Sequence, residues 1–175
     1  VAQGTLERQK LHIHHYNRSR DETTLRVISP QQLIHYRDNW YVDAWCHLRK
    51  EIRSFSIDAI TQCEVMDEVA KEIPQSELDS VLQSGYGIFS GEAKNWAKLV
   101  FSADRARWVQ HEEWHPKQKG TLNKDGSYTL EIPYSDDREL CADILKFGNE
   151  VKVIGPEHLQ QTIKTILKNM TSIYQ

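Results

Sequence analysis

Polar and apolar residues alternate with a period of two through several short segments of the first 60 residues. This alternation is typical of strands that bury one face and expose the other. Five such strands are expected, at residues 10–17, 23–29, 32–37, 40–47 and 52–57. Strands this short and this closely spaced predict a small, strongly bent β-barrel of the SH3 or Sm type.

Residues Asp38-Asn39 lie between the third and fourth strands and are expected to form a two-residue hairpin turn. This turn pairs Tyr36 with Tyr41 and places Trp40 on the opposite face, together with Val42. We expect Trp40 to belong to the core. For Tyr41 two interpretations stay open, a buried tyrosine with a satisfied hydroxyl or a platform on which a base stacks.

After residue 63 the apolar spacing becomes helical, and Pro74 divides the helical segment. Farther along, strands and helices alternate. Strands are expected at residues 96–101, 127–133 and 151–154, and helices at 103–109, 136–147 and from Gly155-Pro156 to Tyr174. The predicted fold is therefore α+β, with a barrel at residues 1–63, a helical linker at 64–92 and a ferredoxin-like α/β sandwich at 93–175.

The net charge of -3 conceals an uneven distribution of arginine and lysine. Residues 1–63 contain nine basic and seven acidic residues, and seven of the bases are arginine. Residues 64–175 contain thirteen basic and eighteen acidic residues, and ten of the bases are lysine. Arginine offers a planar fork that binds phosphate through two hydrogen bonds, whereas lysine is the common solubilising base. The first part is therefore suited to an anionic ligand, although surface arginine also occurs without function.

The same part of the chain supplies aromatic side chains beside its bases. A single-stranded nucleic acid needs donors for its phosphates and aromatic faces for its bases. Candidate donors are Arg26, His35, Arg37, Arg49 and Arg53, and the aromatic residues among them are Tyr16, Tyr36, Tyr41 and Trp45.

Neither a metal site nor an enzyme is expected. His12 and His14 share a strand face, but no third ligand follows at suitable spacing. The segment His111 to His115 matches the H-E-x-x-H pattern of zinc proteases, but Pro116 disfavours helical geometry at the second histidine. The sequence contains no G-x-S-x-G motif and no glycine-rich phosphate loop. We therefore predict no cofactor.

Three scattered cysteines without a C-x-x-C motif indicate reduced thiols in a cytoplasmic protein. No apolar run is long enough for a transmembrane helix, and no signal peptide is visible.

Several motifs in this order resemble the WYL-domain family of bacterial transcriptional regulators. In the first part they are Ser29 to Val42, Arg49 and Arg53 to Ile60; Val42 stands where the family name implies leucine, and Ser56 where many members carry a further arginine. The second part resembles the extension that usually follows. Its motifs include Trp114-His115, Ile132-Pro133-Tyr134, Ile144 to Gly148 and Val153 to Pro156.

This resemblance implies an effector-sensing and dimerisation module whose WYL domain binds the ligand. For parts of the family that ligand is nucleic acid, single-stranded DNA in particular, and other members control phage-defence or DNA-damage genes. A winged helix-turn-helix normally precedes the WYL domain. It is absent here, so the chain is expected to be a fragment that contacts duplex DNA only through the missing domain.

The residues expected to contact a phosphorylated ligand are Tyr16, Arg26, His35, Tyr41, Arg49 and Arg53. A homodimer is expected. The last helix has an apolar face, of which part must pack within its own unit and the rest helps to pair the chains; this face includes Leu159, Ile163, Ile166 and Met170. Two other interpretations stay open, a module for a small nucleotide and a structural dimerisation domain without a ligand.

Overall fold

The computed structural model describes residues 1–82, 85–88 and 93–175. The chain divides into two compact units, Val1–Leu82 and Gln83–Gln175. Each unit is built on its own antiparallel sheet, which confirms the prediction of a mixed α+β fold.

The first unit contains a five-stranded sheet in the order β4–β3–β2–β1–β5. Its strands are β1 (Gln9–Asn17), β2 (Glu22–Tyr36), β3 (Asn39–Cys46), β4 (Glu51–Ser56) and β5 (Ile60–Val69). Helix α1 (Ala2–Leu6) precedes the sheet and helix α2 (Gln75–Leu82) follows it.

Within the described residues the sheet is open, so the predicted SH3- or Sm-type barrel is not confirmed. Strands β4 and β5 lie at its two edges and do not pair. They are joined by a single 3₁₀ turn, Ile57–Ala59, which carries the chain between the edges. The sheet is nevertheless strongly curled. The rings of His15 on β1 and Phe55 on β4 are 5.3 Å apart, although three strand spacings of about 4.8 Å separate these strands along the sheet.

A β-bulge in β2 divides this long strand. Opposite β3, the register shifts between Pro30 and Gln32, which leaves Gln31 as the extra residue. Proline cannot donate a ladder hydrogen bond and is tolerated at such a bulge. The Gln31 side chain is buried; its Nε2 donates to the carbonyl of Lys71 at 2.8 Å, and its Oε1 accepts from the amide of Ile73 at 3.0 Å.

The hairpin between β2 and β3 turns one residue earlier than predicted. Tyr36 pairs with Asn39, so the two-residue turn is Arg37-Asp38, with Arg37 at a φ of 52°. Asn39 is held in the strand because its Nδ2 donates to Asp58 Oδ1 at 2.9 Å. The faces assigned from the sequence are unaffected. The pairing has moved by two residues, and side chains on a strand alternate with a period of two.

Trp40 does not belong to the core, contrary to the expectation from its face. It lies on the same face as Val42, which is fully buried, but its own side chain is 52% exposed. The reason is its place at the beginning of β3, beyond the end of the packed cluster. There its ring lies against the ring of His35, at 5.1 Å.

The predicted helical linker is wrong at its beginning. Residues up to Val69 continue β5, and Glu64 and Val65 pair with β1. The helical spacing of apolar residues is overridden here because β1 offers a free edge that satisfies the backbone of residues 60–69. After Pro74 the chain does form a helix, α2.

The first unit has two apolar clusters on opposite faces of its sheet. The larger one fills the face that we call the core face, and consists of Leu11, Ile13, Ile28, Val42, Ala44, Cys46 and Phe55. On the other face, Ile52 packs against Ile73 and Leu78, so residues 70–82 cover part of that face. Lys71 lies over the ring of Trp45 at 3.2 Å, a cation–π contact.

The second unit has a four-stranded sheet in the order β7–β8–β6–β9. Its elements are β6 (Asn95–Phe101), α3 (Ala103–Val109), β7 (Lys119–Leu122), β8 (Tyr128–Tyr134), α4 (Asp137–Leu145), β9 (Val151–Gly155) and α5 (Glu157–Ile173). Up to β9 the element order is β-α-β-β-α-β, the order of a ferredoxin-like unit. None of the described helices is long and apolar enough to cross a membrane.

Helix α3 ends at Val109, before the segment that matches the zinc-protease pattern. His111 and His115 therefore do not share a helical face. Trp114, between them, stacks on Phe147 at 5.6 Å and contributes to the apolar core of this unit. The segment has a packing role.

Removing the Gln31 side chain is expected to destabilise the first unit. Gln31→Ala leaves the buried amide of Ile73 and the partly buried carbonyl of Lys71 without their partner, which costs about 1–3 kcal/mol. Equilibrium urea unfolding measures this loss. The exposed Gln62→Ala on β5 serves as the matched control and should change stability by less than about 0.5 kcal/mol. Equal stability of the two variants would contradict the bridging role of Gln31.

Candidate anion-binding site

Strand register places three of the six predicted site residues on the core face. Arg26 lies opposite Ile13, Arg53 lies opposite Ala44, and His35 lies opposite Trp40. Ile13 and Ala44 are fully buried, so both arginines stand at the rim of the apolar cluster and not on a remote surface.

His15 lies between these arginines. Alternation along β1 puts it on the core face, two residues after Ile13 and diagonally opposite Arg26. Burial lowers the pKa of its imidazole, and the charges of Arg26, Arg53 and Arg18 lower it further. The curl of the sheet has thus brought bases from β2, β4 and the turn after β1 around one ring. We call Arg18, Arg26 and Arg53 the arginine cluster.

Only part of the positive charge of this cluster is neutralised. Arg18 Nη2 is 2.7 Å from Asp58 Oδ2, and Arg53 Nη1 is 2.7 Å from Glu51 Oε1. Arg26 forms no ion pair with any residue in the described ranges. Three guanidinium groups are therefore balanced by two carboxylates, and half-buried Arg26 keeps its charge uncompensated.

Asp58 fixes the geometry of this rim. It accepts hydrogen bonds from Ser56 Oγ, Asn39 Nδ2 and Arg18 Nη2, which come from β4, β3 and the turn after β1. These hydrogen bonds, with that of Ser56 first, lower the pKa of the Asp58 carboxyl to about 2. The carboxylate is thus ionised at any ordinary pH and acts as a permanent anchor for Arg18.

The other predicted site residues lie elsewhere. Tyr16 and Tyr41 point to the face opposite the core face, because they alternate with His15 and Val42 along their strands. Tyr16 donates its hydroxyl proton to Asp21 Oδ1 at 2.6 Å, and this hydrogen bond raises the pKa of the phenol. Arg49 lies exposed in the turn between β3 and β4. The six residues therefore do not form one site.

Two residues of the candidate site, His15 and Arg18, are missed by reasoning from the sequence. The sequence presents His15 only as one of three neighbouring histidines, and Arg18 only as part of a polar turn. Alternation could have found His15, since it shares the parity of the core residues Leu11 and Ile13. Nothing in the sequence places Arg18 near Arg53, which is 35 positions away.

A buried carboxylate occupies the opposite face. Asp43 has no exposed surface and accepts hydrogen bonds from Ser54 Oγ and from Gln32 Nε2, the latter at 2.9 Å. Burial raises the pKa of this carboxyl in spite of both donors. It lies two residues from Tyr41 on the same face, so an acidic group and not a base accompanies that tyrosine.

The described ranges contain no group of three or more His, Cys, Asp or Glu side chains that could hold a metal ion. On β1 the rings of His12 and His14 are 5.8 Å apart, and Glu64 lies 3.9 Å from His12 Nδ1. This trio is too widely spaced for zinc, which needs its ligand atoms at about 2 Å.

Comparison with known proteins matches both units. The WYL domain family matches residues 1–65, and the WCX domain family matches residues 94–171. Protein PafC of Mycobacterium leprae is 24% identical over 175 residues, which cover 100% of this chain and 52% of PafC. The uncharacterized HTH-type transcriptional regulator YobV of Bacillus subtilis is 23% identical over 165 residues, 91% of this chain and 50% of YobV. The chain thus spans about half the length of these curated relatives.

A CRISPR Cas-related protein of known crystal structure aligns with 99% of this chain and 49% of its own chain. The TM-score is 0.54 and the sequence identity is 14%. At this identity the similarity concerns the fold alone.

Replacing the anchor carboxylate is expected to change how stability depends on pH. The folded-state pKa of Asp58 lies below its ordinary value of 3.8, so its contribution is fully present above about pH 4 and is lost as the pH falls towards about 2. Asp58→Asn should therefore be less stable than the wild type near neutral pH, by about 1 kcal/mol or less because the group is half-exposed. The two stabilities should converge near pH 2.

Urea unfolding at a series of pH values measures this difference. Asp67→Asn, at an exposed position of β5, is the matched control and should follow the wild type throughout. A constant difference between Asp58→Asn and the wild type from neutral to acid pH would show that the charge of Asp58 contributes nothing.

Proposed function

Because the chain belongs to the WYL-domain family of transcriptional regulators, we propose that it is the effector-sensing part of such a regulator, and that its first unit binds single-stranded nucleic acid or another phosphorylated ligand. The observation that carries this proposal is the position of Arg26 and Arg53 at the rim of the core face, where His15 packs against Phe55. An excess of guanidinium charge at the rim of an apolar face favours an anion that is itself partly desolvated.

The cluster offers phosphate oxygens three sets of donors. Arg26 has no ion pair to give up within the described ranges, so its fork can bind a phosphate at the smallest cost. Arg53 pairs with an exposed carboxylate, Glu51, and such surface pairs contribute only about 0–1 kcal/mol. A phosphate can displace Glu51 and form charge-assisted hydrogen bonds in its place.

An aromatic platform lies on the same face. The rings of Trp40 and His35 are 5.1 Å apart and both residues are exposed, so a nucleobase can stack on them. The platform residues His35 and Trp40 share the core face with Arg26 and Arg53. One nucleotide strand can therefore contact its phosphates and its bases on this single face.

Substitution in the arginine cluster tests the site. Arg26→Ala and Arg53→Ala should each weaken binding of single-stranded DNA by roughly tenfold or more, because one phosphate contact contributes about 1–3 kcal/mol. Arg26→Lys should recover only part of the loss, since it keeps the charge and lacks the fork. Fluorescence anisotropy with a labelled oligonucleotide measures the affinities.

Lys98→Ala and Lys164→Ala, in the second unit, are the matched controls and should bind as the wild type does. Thermal unfolding of each variant accompanies the titrations. Normal binding by both arginine variants, or a loss of binding that parallels a loss of folding, would remove the arginine cluster as the ligand site.

A small nucleotide is the second candidate ligand. It is favoured by the size of the cluster, whose three arginines suffice for one or two phosphates. Salt dependence separates the two ligands, because the logarithm of the affinity falls with salt by about 0.7 per phosphate contacted on a single strand. A steep slope indicates an oligonucleotide, and a shallow one indicates a mononucleotide.

In this proposal duplex DNA is bound by a helix-turn-helix that is not part of this chain. YobV, an HTH-type transcriptional regulator, is about twice as long as the part that matches. The second unit contains twelve basic and twelve acidic residues, so it has no net positive charge to attract the phosphates of a duplex. Binding of the ligand to the first unit then controls how the proposed regulator binds duplex DNA.

We further propose that the second unit pairs with a second copy through α5. Leu159 and Ile163 form the part of the apolar face that is buried within its own unit. Leu167 and Met170 are 49% and 44% exposed and, with β9, line a groove of about 630 Å³. A structural dimerisation domain without a ligand would use this same surface and lack the ligand site.

A charge placed on that surface is expected to abolish pairing. Leu167→Glu should shift the chain from dimer to monomer at tens of micromolar, because an unpaired carboxylate cannot be buried at an interface. Sedimentation velocity gives the oligomeric state. Lys168→Glu, at the adjacent exposed position, is the control and should leave the dimer intact. A monomeric wild type would contradict the dimer altogether.

A further inference from the structure

We propose that His15 is a further ligand-binding group, and that it takes up a proton when a phosphodiester anion binds to the arginine cluster, so that affinity rises as the pH falls. This inference rests on the proposed function of the first unit. It adds a fourth positive charge that exists only in the bound state. The site would then respond to ligand and to pH together.

The position of His15 makes protonation unfavourable without a ligand. Its ring meets the edge of Phe55 at 5.3 Å on the core face, and apolar contact of this kind disfavours the imidazolium form. The three arginines repel a further positive charge. The neutral ring is therefore the form present near neutral pH in the free protein.

The acidic groups near the cluster do not remove this repulsion. Asp58 is committed to Arg18 and to two uncharged donors, and Glu51 is committed to Arg53. On the β5 side, His15 pairs with Ile60, which carries no charge. On the β2 side, the hydroxyl of Thr24 donates to the backbone carbonyl of His15. The charged groups described near the ring are thus the three arginines and two carboxylates that already pair with arginines.

A bound phosphodiester changes this balance. Its negative charge offsets the repulsion from Arg18, Arg26 and Arg53, and it accepts a hydrogen bond from the imidazolium. The pKa of His15 must then be higher in the complex than in the free protein. By linkage, binding takes up a proton between these two pKa values, and the affinity increases by up to about tenfold for each pH unit of fall.

The test measures affinity against pH with a probe that does not itself titrate. Oligothymidylate of about ten nucleotides with hydroxyl ends carries only diester phosphates and spans a typical single-strand site. Fluorescence anisotropy at constant salt between about pH 5 and 8 gives the dissociation constant. The wild type should bind more tightly as the pH falls. His15→Gln should lack this gain of affinity over the same pH range.

His12→Gln is the matched control, since His12 lies on the same strand but on the opposite face. It should keep the pH dependence of the wild type. A second measurement does not rely on substitution. The ring proton resonance of His15, followed by NMR, should titrate at a higher pH with the oligonucleotide than without it.

The outcomes separate this inference from the proposed function. Binding with the same pH dependence in His15→Gln as in the wild type, or an unchanged His15 titration in the complex, overturns proton uptake and leaves the ligand site standing. Failure of the wild type to bind oligothymidylate at any pH overturns both. Proton uptake at His15 with loss of affinity in Arg26→Ala supports both.

Discussion

The first unit depends on the bend of one strand. The first half of β2 pairs with β1 as far as Ile28, and its second half pairs with β3 from Ile28 onward. The bulge at Gln31 bends the strand where these two ladders meet, and the Gln31 side chain is fixed by the backbone of residues 71–73. This bend turns β4 back over β1. Without it, Phe55 could not reach His15, and the arginines of β2 and β4 would lie far apart.

The arginines at this rim repel one another, and the fold reduces this repulsion in two ways. Asp58 and Glu51 each neutralise one guanidinium, and His15 stays uncharged. Arg26 keeps its charge without a carboxylate partner in the described ranges. A fully neutralised rim would be more stable and would leave an anion nothing to bind. The incomplete neutralisation of the three guanidinium groups thus lowers the stability of this unit and allows it to bind its proposed ligand.

The second unit follows from simpler rules. Alternating residues of β6 and β8 are buried, including Leu99, Phe101, Leu130 and Ile132, and the helices cover them. Helix α5 places Leu159 and Ile163 in this core within its first two turns. Farther along the helix the apolar residues Leu167 and Met170 remain about half exposed. One amphipathic helix therefore serves its own core at one end and presents an apolar surface at the other.

The sequence by itself determined the local elements, the mixed α+β class and the family. Alternation identified β1 to β4, and helix signals identified α3, α4 and α5, because these patterns depend on neighbours along the chain. Only the tertiary structure decided the remainder. Glu64 to Val69 became a strand because β1 offered it an edge, and Trp40 became exposed because the core ends at Val42.

The candidate site divides in the same way. Arg26 and Arg53 could be identified as candidate ligand residues from residue type and from the family resemblance. Their meeting with Arg18 around His15 could not, because it depends on the curl of the sheet and on the three hydrogen bonds of Asp58. Tyr16 and Tyr41 were grouped with the arginines by closeness in sequence, and the strand register places them on the other face. Residue chemistry is local, whereas a site is assembled by contacts between residues distant in the chain.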